Sequence, residues 1–151
     1  MDKLDREILA ILQEDGRITA TDLAAQVGLS LSACHRRLKE LERSGAILGY
    51  RAIVAPEPVG LSFEAIVFVT MQHTALEVIA SFEAAVTEMP SIVEAQRLFG
   101  QPDYLLRILA RDLADYQEFF DTTLTGLPGV QRLTSTMVMK QIGEERAVPI
   151  P

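Results

Sequence analysis

The sequence predicts an α+β chain of two parts, three helices first and then a four-stranded sheet with two helices. In the first sixty residues, apolar side chains recur at helical spacing between capping residues and glycines. The last ninety residues instead alternate strand-like and helical stretches in the order β-α-β-β-α-β. We therefore expect a small helical domain at 1–54, a Pro- and Gly-rich linker at 55–61, a second domain at 62–142 and a loose tail at 143–151.

The composition is that of an ordinary globular protein. Of the 151 residues, 48% are hydrophobic and 23% are charged. No apolar run approaches the roughly 18 residues of a membrane span, and the start "MDKLDREI" has no signal-peptide core. The single cysteine allows no internal disulfide. We therefore expect a cytoplasmic protein with no membrane partner.

Charge is unevenly distributed along the chain. The formal net charge is −7, and residues 61–151 hold twelve acidic against six basic residues. Residues 31–51 reverse this balance, with five basic residues against two acidic ones. The global acidity argues against a simple nucleic-acid binder, but the local basic stripe keeps that function open.

The first two helices are indicated by capping residues and apolar spacing. The stretch "DKLDREILAILQEDG" places its apolar residues on one face and offers Asp2 as the N-cap. The stretch "TATDLAAQVG" follows, with Thr19 as its N-cap. It ends at Gly28, in a turn that we expect to need a positive φ.

The third helix carries basic residues opposite an apolar face. Ser30 is its expected N-cap, and Cys34, Leu38 and Leu41 share the inward face at helical spacing. Buried Cys34 is expected to be a small core residue rather than a redox sensor. The residues expected to contact DNA are Ser30, Ser32, His35, Arg36, Arg37, Lys39, Arg43 and Arg51.

Two interpretations of the basic face are open at this point. Charged helix faces are usually just solvated. However, two helices joined by a short Gly-containing turn form a helix-turn-helix, and a helix about 10–12 Å across fits the ~12 Å major groove. The capped preceding helix and the glycine turn favour binding to double-stranded DNA. The first residues of the helix would then read base edges, and its later cations would contact phosphates.

A strand is predicted after the third helix, over residues 47–54. The stretch "AILGYRAIVAPEP" is rich in β-branched and aromatic residues, and Gly49 marks a bend. This strand is expected to be either a wing or a link between the two parts. The first part is therefore predicted to be a winged helix-turn-helix, with Arg51 available for a phosphate contact.

The second part is predicted to be a ferredoxin-like βαββαβ domain. Its helices are expected in "ALEVIASFEAAVTEMP" and "LADYQEFFDTTLTGLP", the second with Leu113, Tyr116, Phe120 and Leu124 inward. The motif that follows each helix repeats, with prolines 38 residues apart at positions 90 and 128. A twice-repeated βαβ unit places both helices on one face of a four-stranded antiparallel sheet.

The other face of that sheet is also apolar. The first strand, "SFEAIVFVTMQH", has apolar residues in both of its alternating sets, including Ile66 and Phe68 on the face away from the helices. Two helices cover one face only. We therefore predict a homodimer that packs through the uncovered face.

Four stretches of the chain form a familiar pattern: "LDREILAILQEDGRITATDLAAQVGLS", "RRLKELERSGAILGYRA", "GQPDYLLRI" and "LPGVQRLTSTMVMK". In these stretches, and over nearly its whole length, the chain resembles the Lrp/AsnC family of bacterial and archaeal transcription regulators. It implies an N-terminal helix-turn-helix, a linking strand and a ferredoxin-like domain that senses a small molecule, often an amino acid. It also implies dimers that often assemble into octamers. Leu31 departs from the family, which often has proline there; this costs little, because proline only preorganises a helix start.

The resemblance further implies an effector site at the loop "LFGQPDY" and near the last strand, often across a dimer–dimer interface. Loop N–H groups at Gly100 and Gln101 would bind a carboxylate, and Asp103 an ammonium group. An alternative is a plain β-turn whose aspartate caps the backbone. Pro102 departs from many members and removes one donor. The residues implied are Leu98, Gly100, Gln101, Pro102, Asp103, Tyr104, Thr134, Ser135 and Thr136.

The sequence offers no sign of enzymatic chemistry. His35 and His73 fall in different parts of the chain, so no metal site is expected, and no cofactor motif or catalytic constellation appears. The preferred function is a sequence-specific transcription regulator that responds to a small-molecule effector. The alternative is an architectural DNA-binding protein with little sequence preference, which the acidic second part disfavours.

Overall fold

A computed structural model describes residues 1–143 and 146–151, so Glu144 and Glu145 of the predicted tail lie outside the described residues. The chain divides into two units. The first unit comprises Met1–Ile53 together with Gly143–Pro151, and the second comprises Val54–Ile142. Among the described helices, none is long and apolar enough to cross a bilayer.

Three capped helices form the first unit: α1 at Lys3–Glu14, α2 at Ala20–Gln26 and α3 at Leu31–Arg43. Their predicted N-caps Asp2, Thr19 and Ser30 are confirmed, because each side chain accepts a hydrogen bond from a backbone N–H three residues later. The turn between α2 and α3 contains Gly28 at φ +69°, as the sequence predicts. The buried core of this unit consists of Ile8, Leu23, Ala24, Val27, Cys34 and Leu41.

The strand predicted for residues 47–54 is wrong. Residues 48–55 have no regular secondary structure, and Leu48, Ile53 and Val54 are exposed. A strand exists only when a neighbouring strand satisfies its backbone groups, and this segment pairs with no strand of the described chain. The β-rich composition was therefore a misleading signal here.

The second unit has the predicted ferredoxin-like order of elements. The elements are β1 Phe63–Met71, α4 Leu76–Thr87, β2 Ile92–Arg97, β3 Tyr104–Ala110, α5 Leu113–Thr122 and β4 Val130–Met137. The sheet has the antiparallel order β2-β3-β1-β4, with α4 between the first two strands of the chain and α5 between the last two. Short 3₁₀ turns lie at Glu57–Val59 and Leu124–Gly126.

The helices cover one face of the sheet. Alternate residues of β1 and β3 are buried there against α4 and α5, with Phe82 at the centre. Tyr116 and Leu124 are buried and Phe120 packs beside them, as predicted. The prediction for Leu113 is wrong: it is 62% exposed, because it begins α5 one turn before Tyr116, where the helix reaches the core.

The opposite face, which we call the open sheet face, carries half-buried apolar residues at Ile66, Phe68, Leu105 and Leu109. An ion pair between Arg107 Nε and Glu64 Oε1, 2.6 Å apart, lies on the same face. Neither α4 nor α5 covers this face, since the residues that pack against the helices are the alternate set.

The described part of the tail is tied to α1 rather than loose. The Gln13 side-chain amide donates to the Val148 carbonyl at 3.1 Å, and the Val148 N–H donates to Gln13 Oε1 at 2.6 Å. A glutamine side chain has both an NH₂ donor group and a carbonyl acceptor, so it can pair with the backbone N–H and C=O of one residue in this way. Sequence patterning does not reveal such a pairing between distant residues.

Candidate nucleic-acid interface and effector cavity

The outward face of α3 is exposed and polar. Ser32, His35, Arg36 and Lys39 are all exposed there. The opposite face is anchored by Cys34 and Leu41, which are buried in the core of the first unit. Burial also raises the pKa of the Cys34 thiol, so this side chain stays neutral and serves as packing. Core packing thus presents the polar face to the outside.

Ser30 has a structural role at the start of α3. Its Oγ accepts a hydrogen bond from the Ala33 N–H at 3.3 Å, and it shares a 3.2 Å hydrogen bond with Ser32 Oγ. Capping satisfies one of the free N–H groups of the first helical turn. Both serines are exposed, and the Ser30 hydroxyl has the additional role of capping the helix.

Arg37 lies apart from the exposed stripe. Its Nη1 donates to Asp2 Oδ2 at 2.8 Å and to Asp5 Oδ1 at 2.6 Å, and its side chain is 22% exposed. The hydrogen bonds to the two carboxylates raise the pKa of Arg37, and contacts with the Asp5 N–H and Arg37 lower the pKa of Asp2. The guanidinium is therefore already bound to the carboxylates of Asp2, the N-cap of α1, and Asp5, whereas the other predicted DNA contacts of α3 are exposed.

Arg43 and Arg51 lie at the edge of this region. Arg43 is exposed and forms an ion pair one turn along α3 with Glu40, through Nε at 3.2 Å and through Nη2. This pairing raises the pKa of Arg43 and lowers that of Glu40. Such an exposed pair is worth little, so Arg43 can exchange Glu40 for a phosphate. Arg51 is exposed in the segment after Gly49.

A cavity of about 180 Å³ lies at one end of the sheet in the second unit. Of the implied effector residues, Leu98, Gly100, Asp103 and Tyr104 line it, whereas Gln101 and Pro102 do not. The sequence reasoning missed its other lining residues, which are Met71, Thr74, Ile79, Arg97 and Phe99. These residues lie at the ends of β1 and β2 and at the start of α4, where the antiparallel order brings those ends beside the loop.

Asp103 holds the loop of residues 98–103 against the sheet. Its Oδ2 accepts from the Met71 N–H at 2.7 Å, and its own N–H donates to the Val69 carbonyl at 2.9 Å. Its carbonyl accepts from the Leu98 N–H at 2.7 Å, which closes the loop. Asp103 therefore caps backbone, which is the alternative that the sequence left open, and this use occupies one of its carboxylate oxygens.

Tyr104 forms the buried wall of the cavity. Its hydroxyl donates to Glu83 Oε1 at 2.8 Å, and its ring packs against Phe82 with ring centroids 4.6 Å apart. Burial, with a smaller contribution from Glu83, raises the pKa of Tyr104 to about 12. Arg97 Nη1 lies 3.8 Å from the same Glu83 oxygen. The cavity thus combines an apolar wall with a charged pair at its rim.

The three hydroxyls of β4 do not line this cavity. Thr134 and Thr136 lie opposite Phe68 and Ile66 in the ladder, and therefore on the open sheet face. Ser135 lies on the helix face, where its hydroxyl shares a hydrogen bond with that of Tyr116. It borders a separate shallow groove with α5.

Within residues 1–143 and 146–151, no three His, Cys, Asp or Glu side chains come together as a group that could hold a metal ion. The two candidate sites are the exposed face of α3 and the cavity beside the 98–103 loop.

Two protein-family models match the chain. A model described as the Lrp/AsnC ligand binding domain matches residues 64–148. A model described as winged helix-turn-helix DNA-binding matches residues 1–47. The second match lies in the first unit, and the first match covers most of the second unit.

Curated relatives match the chain over almost its whole length. The DNA-binding transcriptional activator DecR of Escherichia coli K12 is 37% identical over 150 residues, covering 99% of each chain. The Bkd operon transcriptional regulator of Pseudomonas aeruginosa is 35% identical, covering 99% of this chain and 98% of its own. The leucine-responsive regulatory protein of Escherichia coli K12 is also 35% identical, covering 99% of this chain and 92% of its own.

Solved structures agree with these relatives. A transcriptional regulator of Neisseria meningitidis, solved as a complex with L-methionine, has a TM-score of 0.92 at 37% identity and covers 99% of this chain and 96% of its own. An AsnC family regulator of Agrobacterium tumefaciens has a TM-score of 0.91 at 35% identity, covering 99% and 97%.

Proposed function

The chain belongs to the Lrp/AsnC family of DNA-binding transcription regulators, and from that premise we propose that it reads specific duplex sequences with α3 and responds to an amino acid bound beside the 98–103 loop. The family consists of regulators rather than enzymes. The observation that carries the proposal for DNA is the division of α3 into a buried apolar face and an exposed face with Arg36 and Lys39.

The geometry of α3 supports major-groove reading by a small set of residues. Ser32, His35 and Arg36 lie in the first half of the helix, where a recognition helix contacts base edges. Arginine bonds guanine through two hydrogen bonds, while serine and histidine are less selective. Lys39 and Arg43 lie further along the same side and would contact phosphates. Arg51 adds a phosphate contact from the segment that follows.

An amino-acid effector is supported by the chemistry of the cavity. Met71, Ile79 and Leu98 supply apolar lining, and its volume of about 180 Å³ is below the roughly 300–1,000 Å³ of pockets for drug-sized ligands. The Gly100 N–H donates no hydrogen bond to any described residue, so it is available to a carboxylate. The Neisseria meningitidis regulator bound to L-methionine makes an apolar amino acid the first class to test.

The open sheet face supports a homodimer. This face carries an apolar strip formed by Ile66, Phe68, Leu105 and Leu109. In a two-fold dimer, the same strip of a second copy would pack against it and cover it. Thr134 and Thr136 border this strip, so they would meet an effector only if a second copy brought them to its cavity. We further propose that dimers assemble into an octamer.

The DNA part of the proposal is tested by selecting duplexes from random sequences and footprinting the protein on them. A dimer that presents two α3 helices protects two half-sites about 34 Å apart, or a multiple of that distance. An imperfect palindrome with this spacing is the expected result. Protection of a single isolated half-site contradicts the dimer geometry. A ratio near one between affinities for selected and random duplexes would instead indicate an architectural protein.

The effector part is tested by thermal unfolding with each of the twenty amino acids. A ligand at a hundred times its Kd stabilises the folded state by about 2.7 kcal/mol, so one or a few amino acids should raise Tm. A Leu98→Asp variant places a charge in the apolar lining and should lose the shift. Gln101→Ala, in the same loop but outside the lining, should keep it. No rise in Tm with any amino acid contradicts this part.

A further inference from the structure

Arg37 differs from the other basic residues of α3 in the direction of its side chain. It follows buried Cys34 by three residues and precedes buried Leu41 by four, so its stem lies beside the inward face of the helix. Its guanidinium reaches the start of α1, where it contacts two carboxylates. Helical spacing alone placed Arg37 among the DNA contacts. Its two partners are 32 and 35 residues away, so the local pattern could not reveal them.

The contacts at the start of α1 form a closed network. Asp2 Oδ1 accepts from the Asp5 N–H, and Asp5 Oδ2 accepts from the Asp2 N–H, each at 2.9 Å. The two remaining oxygens, Asp2 Oδ2 and Asp5 Oδ1, both accept from Arg37 Nη1. All four carboxylate oxygens therefore have partners. The backbone hydrogen bonds of this capping box hold the two carboxylates in place. The carboxylates in turn hold the Arg37 guanidinium.

We propose that Arg37 is a positioning residue for DNA recognition, which fixes the orientation of α3 against the start of α1 and does not itself contact DNA. This inference rests on the proposed reading of DNA by α3. Asp5 is 17% exposed in its side chain and Arg37 22%, so water competes little for this contact. The guanidinium also has its charge compensated by two carboxylates, which removes its attraction for a phosphate.

The orientation of α3 matters because base contacts tolerate small displacements only. Side-chain tips lie about 5–6 Å from the helix axis, so a rotation of 20° moves them by about 2 Å. That displacement is enough to break a hydrogen bond to a base edge. Contacts to the flexible and repetitive phosphate backbone are less affected. Loss of the Arg37 contact should therefore reduce specific binding more than non-specific binding.

The test compares Arg37→Ala, Asp5→Asn and the double variant Arg37→Ala/Asp5→Asn with the full-length wild type. Affinity is measured for the selected operator and for a random duplex, over a range of salt concentrations, at a temperature where each variant is folded by circular dichroism. The readouts are the ratio of the two affinities and the dependence of log affinity on log salt. A merely structural contact changes Tm and leaves both readouts unchanged.

Positioning by Arg37 predicts that each single variant lowers the operator-to-random ratio by about tenfold or more, with the salt dependence of the wild type. The double variant should be no worse than the poorer single variant, because the contact that Asp5→Asn weakens is one of the two that Arg37→Ala already removes. Arg37→Lys should recover part of the ratio, since an ammonium group keeps the charge but not the guanidinium geometry. Should Arg37→Ala fail to fold, Asp5→Asn and Arg37→Lys still give the comparison.

Three results overturn the inference. A shallower salt dependence in Arg37→Ala means that Arg37 contacts a phosphate, since each lost phosphate contact changes the slope by about one. An unchanged ratio in Asp5→Asn means that the network does not position α3. A change in Tm alone means that the contact is only structural. Arg36→Ala separates the two proposals: if it also leaves operator binding unchanged, the proposed reading by α3 fails.

Discussion

Replacement of Asp103 by alanine should destabilise the second unit even without an effector. The side chain accepts a hydrogen bond from the part-buried Met71 N–H at 2.7 Å, at the end of the central strand β1. A hydrogen bond to a charged group contributes about 1.5–3 kcal/mol, and its removal leaves that N–H without its partner. For a unit of this size, each kcal/mol lowers Tm by about 4 °C or more. The expected decrease in Tm is therefore about 6–12 °C.

Thermal unfolding of the ligand-free protein, followed by circular dichroism, measures this decrease. Asp103→Asn keeps a neutral acceptor in the same place and should lose about half as much stability. Gln101→Ala is the matched control, because Gln101 is exposed in the same loop. An aspartate that serves only to bind an effector would leave the ligand-free Tm of Asp103→Ala equal to that of wild type. That result would refute the role in capping Met71.

Three further predictions test the second unit. Gly129→Ala should lower the free energy of unfolding by about 2–5 kcal/mol in denaturant unfolding, because Gly129 has φ +71° and a Cβ there would lie 2.2 Å from Val78 Cγ1. The control Gly126→Ala, with open space around the new Cβ, should lower it by under about 0.5 kcal/mol. The tyrosinate absorbance that Tyr104→Phe removes should titrate near pH 12, and titration near 10 would contradict this. Stability should fall as pH rises from 10.0, the ordinary pKa of tyrosine, towards about 12, because the unfolded chain ionises first. Phe68→Glu should be monomeric by sedimentation at concentrations where the wild type is dimeric, since a dimer would bury the new charge in the proposed interface. A variant that remains dimeric would exclude the open sheet face as the dimer interface.

Local signals were sufficient to predict most of the fold. The caps at Asp2, Thr19 and Ser30 and the positive φ at Gly28 depend on neighbours a few residues away, and the sequence contains those neighbours. The β-α-β-β-α-β order of elements and the four-stranded antiparallel sheet followed from the repeated βαβ pattern. The prediction of a strand at 47–54 failed because a strand needs a partner strand as well as a favourable composition. Whether a partner exists depends on contacts between residues that are distant along the chain.

The candidate sites were predicted less completely than the fold. Helical spacing separated Arg36 and Lys39 from the core, but it could not show that Arg37 pairs with Asp5. For the cavity, the loop sequence indicated Asp103, whereas Arg97 and its neighbour Glu83 come together only through the packing of α4 on β2. The period of a strand could have separated Ser135 from the threonines on either side, because successive side chains point to opposite faces.

The operator affinity of Arg36→Ala, Lys39→Ala and the double variant tests most directly whether α3 reads DNA. Lys140→Ala is the control, since it removes an exposed cation of the second unit. The account predicts at least tenfold weaker binding for the double variant, a shallower salt dependence and wild-type binding for the control. Operator binding by the double variant that matches wild type in affinity and salt dependence would contradict it.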